Sequence, residues 1–383
     1  SFISGVATIP VTIYGSHPVS RLVKIKCKNR VTHGGYYAEG ESADLVVNPN
    51  VYAKILLLVA GEGHTPGRQI GSGKQGLPTT QIAGDSFNVK VYTTDEYWNP
   101  IFASVPITFS SSDLRADLPS SPTMTTNPET FAVTFHTVGL GRQWLRITEG
   151  TKESVSTDIP VEPNDISYFQ FDSSIPSPQQ TTDPFQISLT AYDADGNVAN
   201  YDQQAQLSCT MGAEYAIPDT IQFTDGRGNA WVQVTKQGSN VKIIVDDGTH
   251  SVQSNEFLVL AGDFNRLLVL LDGETHTPGL GDGKDGVPIA INAGGSTTVT
   301  VIACDDYWNR KAIPVEISNI SSATGYIVPP TLPFTLASDG IGQCQVAFRT
   351  AYEVSTRVNE PQTITVSGAA RTATSTPITV NSG

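Results

Sequence analysis

Glutamate, histidine and lysine stand together twice in this sequence: Glu62, His64 and Lys74 in "GEGHTPGRQIGSGKQGLP" (61–78), and Glu274, His276 and Lys284 in "GETHTPGLGDGKDGVP" (273–288). A carboxylate two residues from an imidazole could share a proton in acid–base work or hold a metal ion. Neither copy supplies a nucleophile or a converging second carboxylate, and the surrounding glycines and prolines describe an ordered loop with a fixed path. These six residues are expected in a packing loop, with a contact or ligand site as the alternative. An enzyme is not expected: G-x-S-x-G, H-E-x-x-H and phosphate-loop patterns do not occur, and His17, His33, His136 and His250 share no spacing.

"DADGN" (193–197) sets Asp193, Asp195 and Asn197 at alternate positions with a glycine, the way a Ca2+ loop opens. The twelfth position of such a loop calls for Glu and holds Gln204, so a turn in which Asp and Asn bond local backbone competes with the cation. Bound Ca2+ is the one cofactor for which the residues make a case. Tyr97-Trp98 and Tyr307-Trp308 could form a platform for sugar stacking, or could divide between a core edge and a module junction.

The elements that must position these residues are strands. "FNVKVYTTD" (87–95), "FQISLTAYD" (185–193), "AWVQVTKQG" (230–238) and "TTVTVIACD" (297–305) alternate apolar and polar residues between turn formers, the period-2 pattern of half-buried strands. With 34 Gly, 24 Pro and only 16 % charged residues, the composition favours strands and turns. An all-β fold is expected. A net charge of −14 argues against nucleic acid and anionic membrane surfaces as partners. No run approaches the roughly 20 apolar residues that span a bilayer. Opening on Ser1 without an apolar leader, the chain reads as a portion of something longer.

Self-comparison gives the organisation. "EYWNP" (96–100) returns as "DYWNR" (306–310), and "YDADGNV" (192–198) fits the same slot, so three modules share a strand ending in Asp-x-x-x-Asn. Residues 1–53 align with the C-terminal half of a module, "FISGVATIPVTIYG" (2–15) with "FTDGRGNAWVQVTKQG" (223–238). Full modules follow at 54–163, 164–263 and 264–383, the first and third with the long GExHTPG loop and the second with a short one. The joins are short and two carry Pro-Asn, which predicts a stiff row of modules.

The Asp-x-x-(Gly/Trp)-Asn turn, the spacing of about 100 residues and module ends such as "STPITV" and "SNEFLVL" resemble the tandem bacterial immunoglobulin-like repeats of large secreted surface proteins and adhesins. The resemblance implies immunoglobulin-like β-sandwich modules in an extended rod. It also implies an extracellular or cell-surface location. Cys304 and Cys344 occur together in one module on two different predicted strands, where a cross-sandwich disulfide like the immunoglobulin staple would add roughly 2 to 4 kcal/mol; two free thiols are the alternative. Asn319-Ile320-Ser321 is a glycosylation sequon. The expected function is a structural stalk or filament segment, with an adhesin module recognising glycan or host protein, with or without Ca2+, as the alternative. Expected partners are further copies or a continuation of the chain. An incomplete sandwich at 1–53 would expose apolar surface and strand edges that another segment must cover.

Overall fold

The computed structural model describes residues 6–16, 22–28, 39–322, 326–349, 353–354, 357–358 and 362–381. His17 and His33 lie outside the described residues, as does much of the aligned N-terminal segment. The chain is all-β, with one short 3-10 turn at Ala213–Tyr215 among the described residues. Contacts divide it into two compact units, Ser1–Asp165 with Asp193–Ala199, and Ile166–Tyr192 with Asn200–Gly383.

The first unit holds one immunoglobulin-like sandwich. Its strands are β1 (Lys54–Leu58), β2 (Ser86–Thr94), β3 (Thr108–Ser111), β4 (Glu129–Thr134), β5 (Gly139–Gln143), β6 (Leu145–Glu149), β7 (Lys152–Val155) and β8 (Ile159–Glu162). The order β1-β2-β4 faces β7-β6-β3, while β8 joins β5 and pairs in parallel with Gln81–Ile82. Alternation puts Val89 and Val91 of β2 inward against Phe109 and Ile147, and Phe87 meets Phe135 edge to face at 5.3 Å.

Among the described residues, Ile25 and Ser42 of the same unit repeat a pair of hydrogen bonds found in the second unit. Ser42 donates its N–H to Ile25 O and its Oγ accepts from Ile25 N, both at 2.9 Å. Ser254 and Ile243 make the same two bonds at 2.9 Å. The surroundings differ: Val232 and Ile243 are 0 % exposed, whereas Val11 and Ile25, which take their places, are 57 % and 38 % exposed.

The second unit holds two sandwiches. In the first, β9 (Tyr168–Phe171), β10 (Phe185–Tyr192), β11 (Gln204–Cys209), β12 (Thr220–Thr224), β13 (Arg227–Val234), β14 (Gly238–Val241), β15 (Ile243–Asp246), β16 (Ser251–Gln253) and β17 (Phe257–Leu260) occur in chain order. One continuous ladder runs β9-β10-β13-β12-β11-β15-β16, and β17 joins β14 to Gln179–Gln180. Strand β13 starts three residues before the alternating run beginning at Ala230, because the Asp225-Gly226 turn already returns the chain at Arg227. In the second sandwich, β18 (Arg266–Leu271), β19 (Ser296–Cys304) and β21 (Ile341–Phe348) face β20 (Glu316–Ser322), β22 (Ile364–Gly368) and β23 (Arg371–Thr374) over Val299, Val301, Ile317, Phe348 and Val366.

The expected disulfide is corrected by register. Cys344 lies opposite Val299 on the neighbouring strand of the same sheet, and Cys304 is five residues further along β19. At about 3.4 Å per residue that is roughly 17 Å along the sheet, far beyond disulfide reach. An odd step also reverses the face: Cys344 packs on the inner core, Cys304 on a separate outer cluster with Leu268, Leu270 and Ile302. All four cysteines are free thiols.

Candidate functional site: a clamp repeated at three turns and a loop that covers two of them

The Asp-x-x-x-Asn turn has one geometry in all three copies. Asp95 Oδ1 accepts the N–H groups of Tyr97 and Asn99, both at 2.9 Å, and Oδ2 accepts Asn99 Nδ2 and the linker N–H of Asn50, also at 2.9 Å. Asp193 treats Asp195, Asn197 and the Asn164 N–H in the same way, and Asp305 does so for Tyr307, Asn309 and the Gly262 N–H. Four N–H donors occupy the two oxygens of Asp95. Burial raises its carboxyl pKa, but these bonds outweigh burial and hold it below the ordinary range.

The asparagine amide completes the clamp as a piece of strand would. Asn99 Nδ2 donates to Tyr14 O at 2.7 Å and its Oδ1 accepts from Ser16 N at 2.8 Å. Asn197 spans His136 O and Val138 N, and Asn309 spans Thr235 O and Gln237 N. Each amide therefore grips the carbonyl of one residue and the N–H of the residue two further on, the spacing that one residue of a parallel neighbour would bridge. Asp305 and Asn309 are both 0 % exposed.

The arrangement does not fit the expected Ca2+ site. Asp193 spends its oxygens on N–H donors, Asn197 faces backbone, and Asp195 turns to His136 and Arg115. Among the described residues no three metal-ligating side chains converge.

The residue before the asparagine has positive φ in each copy: Trp98 66°, Gly196 81° and Trp308 63°. Glycine adopts this freely, whereas a tryptophan there carries roughly 1–2 kcal/mol of strain. The repeated loop explains the exchange. Trp98 Nε1 donates to Gly71 O at 3.2 Å, its carbonyl takes His64 Nε2 at 2.7 Å, and Lys54 Nζ stands 4.3 Å from the ring centroid. Trp308 repeats this with Gly281 O at 3.0 Å, His276 at 2.6 Å and Arg266 at 4.8 Å. The middle copy has no such loop and uses glycine.

The same loop accounts for the two strands that read as unbroken apolar runs. Ile55, Leu57, Leu267 and Val269 face the inner cores, while Leu56, Leu58, Leu268 and Leu270 are buried on the opposite side. Trp308 packs on Leu268 and Leu270, and His64 lies 4.5 Å from the Tyr92 ring. In β9 the outward residues are polar or half exposed, with Tyr168 at 41 %. A doubly buried strand reads as continuously apolar and a singly buried one alternates.

Glu62 and Glu274 anchor the loop. Each side chain is 1 % exposed; Lys74 Nζ lies 3.0 Å from Glu62 Oε1 and Lys284 Nζ lies 3.5 Å from Glu274 Oε1. The other oxygens accept Val59 N at 3.0 Å and Leu271 N at 2.8 Å, and Thr157 and Thr376 donate hydroxyls to the paired oxygens. Carboxylate and imidazole thus serve different partners, and no proton-sharing pair forms between them. The loop also reaches preceding segments of its own unit: a Cβ on Gly67 would stand 2.7 Å from Gly15 Cα, and one on Gly279 2.9 Å from Lys236 Cβ.

Two expected outcomes follow for the loop. Gly73 has φ +73°, and a Cβ there would stand 2.4 Å from Trp98 Cδ2; Gly71, at φ +114°, has nothing within 4 Å. Gly73→Ala should cost about 2 kcal/mol in denaturant unfolding, and Gly71→Ala should cost less because only backbone strain is added. Equal losses would show that the tryptophan does not pin the loop. The second outcome is set by pH. Burial pushes the His64 and His276 imidazoles below 6.5, against the pull of their bonds to the Trp98 and Trp308 carbonyls. A depressed folded value contributes stability that is full above the unfolded value of 6.5 and is lost as pH falls from there through the folded value. His64→Gln with His276→Gln should flatten that acid limb in denaturation midpoints measured against pH.

No protein-family model matches this sequence, and no curated protein matches it. Among solved structures the chain is similar to FdeC, an Escherichia coli adhesin, at 16% identity over 88% of this chain and 100% of that one, with a TM-score of 0.33. It is similar to domains 4-9 of the surface layer protein SbsC at 14% identity, covering 87% of this chain and 48% of that chain, with a TM-score of 0.25. The D00-D0 domain of Intimin gives 11% identity, 54% and 99% coverage and a TM-score of 0.31. Scores this low carry no functional weight, and the immunoglobulin-like fold is read from the strand registers above.

Proposed function

We propose that the chain is a structural segment of an extracellular or cell-surface stalk or filament, in which successive sandwiches are coupled by main-chain clamps. The clamp supports this reading: a buried Asp–Asn pair ties the linker N–H and the preceding strand to one turn, at Asn99 in the first unit and at Asn309 in the second. Such bonds must break before the joined segments separate. The apolar residues Ile9, Val11 and Ile25, bare where their counterparts are buried or half-buried, call for cover by strands resembling 166–222 from another stretch of polypeptide. Electron microscopy of native material tests the proposal: rods or fibres with a module repeat are expected, and a compact particle holding a soluble ligand would contradict it.

One observation favours the adhesin alternative. Trp231 is 65 % exposed on the outer face of β13, paired in register with Gln186, and Tyr168 and Tyr192 stack at 5.4 Å on the same sheet. Exposed aromatics among amide side chains suit sugar rings. That reading requires Trp231→Ala to abolish glycan binding while the fold survives; unchanged binding, or none in the parent, removes it.

A further inference from the structure

The clamp at 193–197 differs from the other two in being ionic. The residue that yields its carbonyl to the asparagine is Tyr14 in the first copy, Thr235 in the third and His136 here. Two residues after the aspartate stand Tyr97, Tyr307 and, in this copy, Asp195. Where the Tyr14 and Tyr97 rings meet at 4.9 Å, an imidazole meets a carboxylate instead. His136 Nδ1 lies 2.8 Å from Asp195 Oδ1, and Nε2 lies 3.1 Å from Asp117 Oδ2.

Both ring nitrogens donate only in the protonated form, so a neutral ring must turn a lone pair toward one of the two carboxylates. The remaining charges near the ring are Arg115, which donates to Asp195 O at 2.7 Å and Oδ1 at 3.1 Å, and Asp113, whose Oδ2 accepts the His136 N–H at 2.7 Å. Asp193 is engaged by the turn's own N–H groups. Two carboxylates therefore face the ring directly, and the single guanidinium is already committed to one of them.

We propose that His136 is a proton-dependent latch that holds the 193–197 turn in the first unit, tight while the imidazole is cationic and looser when it is neutral. The hydrogen bond with Asp117, and then that with Asp195, hold this imidazole above 6.5 while burial works against them. The latch contribution is therefore complete below the unfolded value and is lost as pH rises through the folded one. This runs opposite to His64 and His276, and it stands whether or not the chain bears tension.

The molecule carries its own control. The parent for this comparison carries His276→Gln, which removes the imidazole bonded to Trp308 O beside the third clamp. Val138 N donates to Asn197 Oδ1 at 3.1 Å, and its counterpart Gln237 N donates to Asn309 Oδ1 at 2.8 Å, where Thr235 stands in place of His136. Amide exchange of both, followed between about pH 5 and 8, cancels the intrinsic pH dependence in the Val138-to-Gln237 ratio. The ratio should rise about two- to fivefold as His136 deprotonates. His136→Gln should hold it at the high-pH value throughout. A flat ratio in the parent, or a His136 ring that titrates at or below 6.5 by NMR, overturns the latch. Should His136→Gln not fold, those two parent measurements still decide it.

Discussion

Replacing Glu274 by alanine should cost about 3 to 5 kcal/mol, the usual loss when one partner of a buried ion pair is removed. Lys284, only 12 % exposed, would keep its charge without a carboxylate, and Leu271 N and the Thr376 hydroxyl would lose their acceptor. Glu274→Gln should cost less, because its single amide oxygen can still accept the Leu271 N–H. Glu274→Ala combined with Lys284→Met should recover much of the loss by removing the stranded ammonium. Urea unfolding of the four proteins at two salt concentrations measures this. A loss under about 1 kcal/mol that fades with salt would make the pair an ordinary surface bridge and would leave the loop without its anchor.

Asn309→Ala should cost about 3 kcal/mol. The substitution strips a buried amide from Thr235 O, at a buried site, and from Gln237 N, at a part-buried one, and each then lacks its partner. An unsatisfied buried polar group costs about 1–3 kcal/mol. Asn309→Asp should be no milder, since a second carboxylate would stand about where Asn309 Nδ2 now lies, 3.1 Å from Asp305 Oδ2, and could not donate to Thr235 O. The local measurement is hydrogen exchange at Gln237 N, whose protection should collapse in both variants while the Val299 and Phe348 core stays protected. If Gln237 remains protected in Asn309→Ala, the amide is not what holds the joint.

Much of the fold was legible because period-2 alternation is local: three of the four alternating runs fall on β2, β10 and β19 to within one residue, and the run 230–238 falls on β13 as far as Val234. The repeated loop was legible as a loop, since its glycines and prolines punctuate the chain wherever it goes. What it covers was not, because that depends on whether the first strand is buried on one face or two. The runs "KILLL" and "RLLVLL" carried that information in their lack of alternation, and only beside the alternating "YFQF" does it become readable. The Asp-x-x-x-Asn turn was visible as a turn, yet its function lies in bonds to residues some 60 to 85 positions away.

His136 was missed for the same reason: its partners Asp117 and Asp195 are 19 and 59 positions distant, so no motif contains them. Trp231 sits in an ordinary strand pattern, and only its exposure distinguishes it. The cysteine expectation failed on register. Cys304 and Val299 are an odd number of residues apart and so point to opposite faces of β19, but that Cys344 pairs with Val299 is a fact of strand alignment.

The asparagine of the clamp bonds only main-chain atoms on the segment it receives, in all three copies. The carbonyl of Tyr14, His136 or Thr235 and the N–H of Ser16, Val138 or Gln237 present the same donor and acceptor whatever side chains they bear. A connection blind to side-chain identity lets copies be inserted, deleted or exchanged during gene duplication without redesigning their neighbours. Length can then vary by whole repeats while the outer faces diversify independently.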